Sequence, residues 1–270
     1  MEAYKLGAIF STKDVRDYRL DIAKTITFPE TFEIGLGVVK NQGAVGSCVA
    51  HAIAETIEYH NMQQGNDNFM SVGYIYGNRR HTLHTGSGLV VRDALKTTCE
   101  YGDCAQADFP ENKEVPGIIK LFESKVDNLF DEASKAHFEK YYRCYTTDEI
   151  KTALINDGPV IFAIPWYHDY KVTPEGILES TLEDKNKGGG HCMVIYGWNE
   201  CGWMIRNSWG NWGKNGNAIL PYDVPIREAW GIADDKSNTP IKKPYNSKFG
   251  KIISKIFNFF INFFSKIFDK

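Results

Sequence analysis

Helical and strand-like patterns occupy different halves of the central part of this chain, and that segregation restricts its fold more than any other feature. From Ser47 to about Gly65, apolar residues recur at helical spacing. Ser47 is a suitable N-cap residue, which places Cys48 in the first turn. The sequence therefore predicts a thiol at the N-terminus of a long helix.

Further along the chain, helical patterns give way to strand patterns. Residues 117–139 and 147–156 have the spacing of amphipathic helices, and short apolar runs typical of strands follow at 159–164, 192–196 and 202–206. A short polar turn separates the last two runs, which predicts an antiparallel hairpin. Helices followed by antiparallel strands indicate an α+β fold rather than a doubly wound parallel sheet.

The composition divides the chain into four parts. Residues 28–235 have the apolar content of a packed domain, whereas residues 236–248, with two prolines and four lysines, are typical of a linker. Residues 1–27 form a polar N-terminal segment, and residues 249–270 form an apolar, aromatic tail. We therefore expect one domain with an extension at each end.

The charge balance and the first residues bear on partners and location. Lys and Arg number 31 against 34 Asp and Glu, so the formal net charge is −3 and gives no basic excess for binding nucleic acid. Residues 1–6 lack the basic and apolar regions of a signal peptide. We expect no nucleic-acid partner and a cytoplasmic or membrane-associated location.

The cysteines give the first chemical signal. None of the six belongs to a Cys-x-x-Cys pair, so the sequence predicts no metal site and, for most of them, small buried side chains. Cys48 differs because it opens a helix, where unpaired N–H groups and the helix dipole favour a negative charge. We expect a stabilised thiolate there, which is a nucleophile.

Residues elsewhere in the sequence supply what a nucleophilic thiol needs. His191 follows three glycines and opens a strand, whereas the other six histidines are interpreted as solvated surface side chains. Asn207 follows the last predicted strand, and its amide oxygen can fix the tautomer of a histidine ring while Trp209 keeps water away. The amide of Gln42 and the backbone N–H of Cys48 would form an oxyanion hole.

With these motifs, the chain resembles the papain-like cysteine peptidases. The matching motifs occur in the family's order, at Val38–Gly43, Gly46–Cys48, Gly158–Val160, Gly190–His191 and Asn207–Gly210. The resemblance covers about residues 28–220 and implies a two-lobe α+β fold. A helical lobe would carry Cys48, and an antiparallel, β-barrel-like lobe would carry His191 and Asn207, with the substrate extended between them.

The resemblance also implies roles for individual residues. The catalytic residues would be Cys48, His191 and Asn207, with Gln42 in the oxyanion hole and Trp209 in support. The substrate cleft would include Gly86, Ser87, Gly88, Gly190 and Cys192. The implied reaction is endopeptidase hydrolysis of a polypeptide through a thioester, by a monomer that needs no cofactor and no metal.

Two departures from the family pattern stand near the nucleophile. Val45 replaces a cysteine that is usually paired in a disulfide, and Val49 replaces a tryptophan. The alternatives are a catalytically silent scaffold that acts as a membrane-binding or interaction module, and a papain-like transferase or exopeptidase. The complete set of Gln42, Cys48, His191 and Asn207 favours an active peptidase.

Both ends of the chain carry further predictions. Compact bacterial or viral relatives also lack a long propeptide, so a viral or phage origin would fit. We hypothesise that residues 1–27 fold over the cleft and limit access; the alternative is a strap on the surface.

The tail has its own pattern. Residues 249–270 hold seven of the 16 phenylalanines, and apolar residues recur at helical spacing opposite a face with lysines. The longest run without a charge, 256–265, is too short to span a bilayer. This pattern predicts an amphipathic helix lying in a membrane surface. Docking on its own domain or on a partner, and self-association, are the alternatives.

Overall fold

One long buried helix organises the first half of the structure. In the computed structural model, which describes residues 4–19, 27–181 and 183–234, this helix begins at Cys48. The helices are α1 (Cys48–Gln63), α2 (Val72–Gly77), α3 (Val91–Tyr101), α4 (Gly117–Ala133) and α5 (Thr147–Asn156), with a 3₁₀ turn at Asp184–Asn186. Apolar side chains of α1 to α4 share one core.

A curled sheet forms most of the second half. The strands are β1 (Ala8–Ile9), β2 (Phe32–Glu33), β3 (Leu89–Val90), β4 (Lys140–Cys144), β5 (Val160–Tyr167), β6 (Lys171–Val172), β7 (Leu178–Glu179), β8 (Lys187–Asn199), β9 (Gly202–Arg206), β10 (Asn217–Leu220) and β11 (Glu228–Ala233). The main sheet has the order β10-β9-β8-β5-β11-β4, with β1 and β2 also on β8, and β6 pairs with β7. Its apolar side chains and those of α5 form a second core.

Two ion pairs lie on the inner face of α1, close to the junction of the lobes. Arg206, at the end of β9, donates to Glu55 at 3.0 Å, and Lys40 pairs with Glu58. Both glutamates are buried, and a buried carboxylate is tolerated when a cation pairs with it. The Glu55–Arg206 pair therefore fixes α1 against the sheet.

The fold class predicted from the sequence is confirmed. The helix expected from Ser47 onward and the hairpin of β8 and β9 are both present. The helix predicted over 117–139 ends earlier, at Ala133, and the strand predicted at 159–164 continues to Tyr167. Within the described residues, no helix is both long and apolar enough to cross a membrane. The predicted linker and tail, 236–270, lie outside them.

Candidate active site

Cys48 is a covered thiol at the N-terminus of α1. It is fully buried, and that burial raises its pKa to about 11, although N–H groups of Cys192, Gly7 and Val49 point at the sulfur and oppose the shift. The helix end was expected to stabilise the thiolate. In this conformation that expectation is wrong, because the loss of hydration outweighs the favourable dipoles.

His191 and Asn207 are brought together by the β8–β9 hairpin. The Nε2 atom of His191 lies 2.8 Å from the Oδ1 atom of Asn207, and both residues are buried. Burial lowers the pKa of His191 to about 4, with the Asn207 hydrogen bond opposing the shift. Among the described residues, Nδ1 of His191 has no hydrogen-bond partner, so it is the ring atom left to exchange a proton.

Aromatic rings enclose the His191–Asn207 pair. Trp209 stacks on the His191 ring with centroids 4.5 Å apart and planes 28° from parallel. Trp166, in β5, meets the edge of both rings at 5.0 Å and 4.8 Å. Sequence reasoning missed Trp166, which looks like any other apolar residue of a strand. Together the indoles keep water from the histidine, as an orienting hydrogen bond requires.

Gln42 has its side-chain amide fixed from both ends. Its Oε1 accepts hydrogen bonds from Ser208 Oγ at 2.7 Å and from Trp209 Nε1 at 3.1 Å. Because the oxygen is held in this way, the NH₂ group must point to the other side, where it donates to the carbonyls of Val45 at 2.8 Å and Lys5 at 2.7 Å. One amide hydrogen therefore meets a carbonyl of the N-terminal segment.

Residues 4–11, which we call the cleft segment, run between the two lobes. Ala8 pairs in parallel with Leu89 of β3 and antiparallel with Gly190 of β8, so β1 joins a strand from each lobe. Tyr4 stacks on Trp209 with centroids 4.8 Å apart and planes 6° from parallel, and its hydroxyl donates to the Trp209 carbonyl at 3.1 Å. The segment thus contacts the aromatic group beside His191 as well as Gln42.

Glycines allow this segment to lie against the cleft walls. A Cβ atom on Gly7 would lie 1.9 Å from the carbonyl oxygen of Gly46. A Cβ on Gly88 would lie 2.5 Å from the Gly7 oxygen, and one on Gly190 would lie 2.2 Å from the Ala8 oxygen. Contacts this short with backbone atoms exclude any side chain, so the fit is specific to glycine on both sides.

Of the five residues predicted for the cleft, two touch the cleft segment and three have other neighbours. Gly88 and Gly190 touch the cleft segment, and Cys192 is buried with its N–H directed at Cys48. Ser87 lies beside Gly46, whereas Gly86 faces the ring of His84. The loop 86–88 therefore contacts the cleft segment through Gly88, and its role in binding substrate stays a prediction.

Some residues near the site gave no signal in the sequence, or a wrong one. Glu114, on the loop before α4, accepts a hydrogen bond from Gly46 N–H at 2.5 Å and pairs with Lys5. His51 was expected on the surface but is buried one turn into α1, where its Nδ1 faces the Ser47 carbonyl at 3.0 Å. Helical periodicity does not reveal this burial, because α1 is buried on most sides and a polar residue on it need not face solvent.

All six cysteines are free; most are buried, as expected, while Cys99 is partly exposed and Cys201 exposed. Within 4–19, 27–181 and 183–234, no cluster of His, Cys, Asp and Glu is suited to hold a metal ion.

Comparison with known proteins identifies relatives of this chain. The family model described as papain family cysteine protease matches residues 30–237. An uncharacterised peptidase C1-like protein, L477, of Acanthamoeba polyphaga mimivirus is 31% identical over 243 residues, covering 82% of this chain and 74% of that protein. A viral cathepsin of Adoxophyes honmai nucleopolyhedrovirus is 25% identical over 194 residues, 66% of this chain and 51% of the cathepsin.

A solved structure agrees with these matches. Xylellain, a cysteine protease from Xylella fastidiosa, has a TM-score of 0.75 and 24% identity, over 86% of this chain and 96% of its own. The two-lobe fold that the sequence motifs implied is therefore confirmed.

Proposed function

The chain belongs to the papain family of cysteine proteases, and on that premise we propose that it is an endopeptidase whose nucleophile is Cys48. The observation that carries the proposal is the buried His191–Asn207 hydrogen bond, which leaves only Nδ1 of the histidine to serve the thiol. An asparagine in that position fixes the ring and its tautomer. The hydrogen bonds that Ser208 and Trp209 donate to Gln42 Oε1 turn its NH₂ toward the same site.

The proposed reaction has two steps. His191 Nδ1 takes the thiol proton, the Cys48 sulfur bonds to the peptide carbonyl carbon, and the oxyanion that forms is held by Gln42 Nε2 and the Cys48 N–H. The imidazolium then gives its proton to the leaving amine as the C–N bond breaks, which leaves a thioester. Water, deprotonated by His191, attacks the thioester, and the thiol is regenerated with release of the acid.

The test combines labelling with turnover. A peptidyl epoxide should label the protein stoichiometrically on Cys48, and the label should be absent from Cys48→Ala. Fluorogenic peptides should be hydrolysed by the wild-type protein but not by that variant. Cys201→Ala is the matched control, because it removes an exposed thiol and should change neither result. Labelling without hydrolysis of any peptide would favour the silent scaffold.

We further propose that the cleft segment limits access to Cys48. In support, its Gly7 N–H points at the sulfur, its Lys5 carbonyl occupies the free hydrogen of Gln42, and Tyr4 covers Trp209. Tyr4→Ala removes the ring stack and should speed epoxide labelling. Tyr18→Ala, which changes an exposed ring outside the cleft segment, should leave the rate as it is. Equal rates for both variants would refute the inhibitory role.

For residues 249–270 we propose association with a membrane surface, on the sequence pattern alone. Lysines on the polar face suit anionic lipids, and the phenylalanines suit the acyl boundary. Full-length protein should float with vesicles that contain anionic lipid, and a chain truncated after residue 247 should not. Equal flotation of the two proteins would exclude this role.

A further inference from the structure

The cleft segment places one of its residues against the proposed oxyanion donor. The carbonyl of Lys5 accepts a hydrogen bond from Gln42 Nε2 at 2.7 Å. In the proposed reaction, the carbonyl at Gln42 is the one that the thiolate attacks. The Lys5 carbonyl therefore lies where the carbonyl of the residue before a scissile bond would lie. The Lys5 side chain contacts the adjoining wall of the cleft.

That wall carries a carboxylate. Glu114 Oε2 lies 3.2 Å from the Lys5 ammonium, while Oε1 accepts hydrogen bonds from Gly46 N–H at 2.5 Å and from the Tyr76 hydroxyl at 3.3 Å. Gly46 stands two residues before Cys48, and Ser87 of the predicted cleft loop lies beside it. These bonds hold Glu114 on the wall next to the nucleophile, with its side chain 29% exposed.

The carboxylate is charged and has room for a cation. Burial opposes its ionisation, but the hydrogen bond from Gly46 N–H and the Lys5 pair help to outweigh burial, so the pKa of Glu114 lies below its ordinary value. Arg79 is also nearby, but its guanidinium donates to the backbone carbonyls of Tyr76 and Gly88 instead. Among the described residues, Glu114 forms its ion pair with Lys5.

Building on the proposed peptidase function, we propose that Glu114 is a specificity-determining residue that selects substrates with Lys or Arg immediately before the scissile bond. A basic side chain on that residue replaces Lys5 at Glu114 as its carbonyl replaces the Lys5 carbonyl at Gln42. A neutral side chain leaves the carboxylate without a cation, and an acidic one faces it with a like charge. Discrimination of this kind comes from a charged group that only one class of substrate can satisfy.

The experiment uses fluorogenic peptides that differ only in the residue before the cleaved bond: Lys, Arg, Gln or Glu. They are assayed with the full chain, as wild type and with Gly7→Val, whose added Cβ clashes with the Gly46 backbone and displaces the cleft segment. We expect kcat/KM for Arg and Lys to exceed that for Gln by about tenfold or more, and Glu to be poorest. This order of kcat/KM values is expected for both chains, because both keep Glu114.

Substitutions then assign the preference to one carboxylate. Glu114→Gln should bring the Arg-to-Gln ratio close to one while the Gln peptide is still cleaved, and Glu114→Lys should favour the Glu peptide. The matched control is Glu111→Gln, on the same loop, where the carboxylate pairs with Lys113 instead. That control should keep the wild-type ratio.

The outcomes separate this assignment from the function on which it rests. Hydrolysis that depends on Cys48 but shows no preference among the four peptides overturns the role of Glu114 and leaves the peptidase intact. A preference that survives in Glu114→Gln also overturns it. If neither the wild-type nor the Gly7→Val chain cleaves any peptide in a Cys48-dependent way, the proposed function fails and this assignment fails with it.

Discussion

Replacing Gly7 with valine should convert Cys48 from a covered thiol to a reactive one. A Cβ at residue 7 would lie 1.9 Å from the Gly46 oxygen and 2.4 Å from its carbonyl carbon. Both are backbone atoms at the start of the buried helix, so the cleft segment is the partner that must move. Moving it removes the Gly7 N–H from the sulfur and admits water to the site.

The size of the effect follows from the cause of the pKa shifts. Burial is the largest contribution both to the raised pKa of Cys48, about 11, and to the lowered pKa of His191, about 4. Return of the thiol to its ordinary value of 9.0 raises the thiolate fraction at pH 7 about 100-fold. The histidine pKa rises at the same time, which favours the thiolate–imidazolium pair further.

The assay is the rate of alkylation by iodoacetamide between pH 5 and pH 10, with the labelled residue identified by mass spectrometry. Since burial raises the thiol pKa, the wild-type rate should climb only toward the alkaline end, whereas the Gly7→Val rate should begin to climb at lower pH and be about 100-fold higher at pH 7. Gly35→Val is the matched control, because a Cβ there meets nothing within 4 Å. If Gly7→Val is folded and reproduces the wild-type pH profile, the cleft segment is not the cause of the burial.

Three further predictions concern residues around the site and the fold. In the Gly7→Val background, Gln42→Ala should lower kcat by about 100-fold or more with little change in KM, measured on the best fluorogenic peptide; equal kcat values would remove Gln42 from the oxyanion hole. Lys5→Gln should speed epoxide labelling only a few-fold and most clearly at low salt, because the Lys5 side chain is 46% exposed. Thr146→Ala breaks the capping box with Glu149 and should lower the free energy of unfolding in urea by about 1 kcal/mol, leaving the labelling rate of the folded protein unchanged.

The sequence predicts the parts of the site that local pattern determines. A helix start specifies where Cys48 lies, and a hairpin between two strand patterns brings His191 near Asn207. Glu114 is different, because it belongs to a loop with no periodicity and reaches Gly46 only through tertiary folding. Trp166 likewise lies in a strand whose direction into the site depends on the neighbouring strand.

The pKa of Cys48 depends on more than the local sequence around it. The helix N-terminus of Cys48 is present as predicted, and its backbone N–H groups do oppose the pKa shift. The predicted thiolate fails in this conformation because the dominant contribution to the pKa is burial. In the proposed closed cleft, residues 4–11 contribute to that burial, and their fit depends on glycines in distant parts of the chain. A local motif can specify the sign of one contribution to a pKa, but burial is a property of the assembled fold.

Inhibition and specificity are coupled in the proposed site because they use the same groups. The cleft segment offers Gln42 a carbonyl and Glu114 an ammonium, which are the two features expected of the favoured substrate. A stronger attraction of Glu114 for basic side chains therefore strengthens both the preference and the hold of Lys5 on the closed cleft. A substrate must displace the cleft segment, which is tethered to the protein and therefore has a high effective concentration. The substrate occupies the cleft only where its own contacts are stronger than those of Lys5 and its neighbours. What separates the two ligands is the backbone at the sulfur: the segment presents the Gly7 N–H there, whereas a substrate presents the carbonyl carbon that the thiolate attacks.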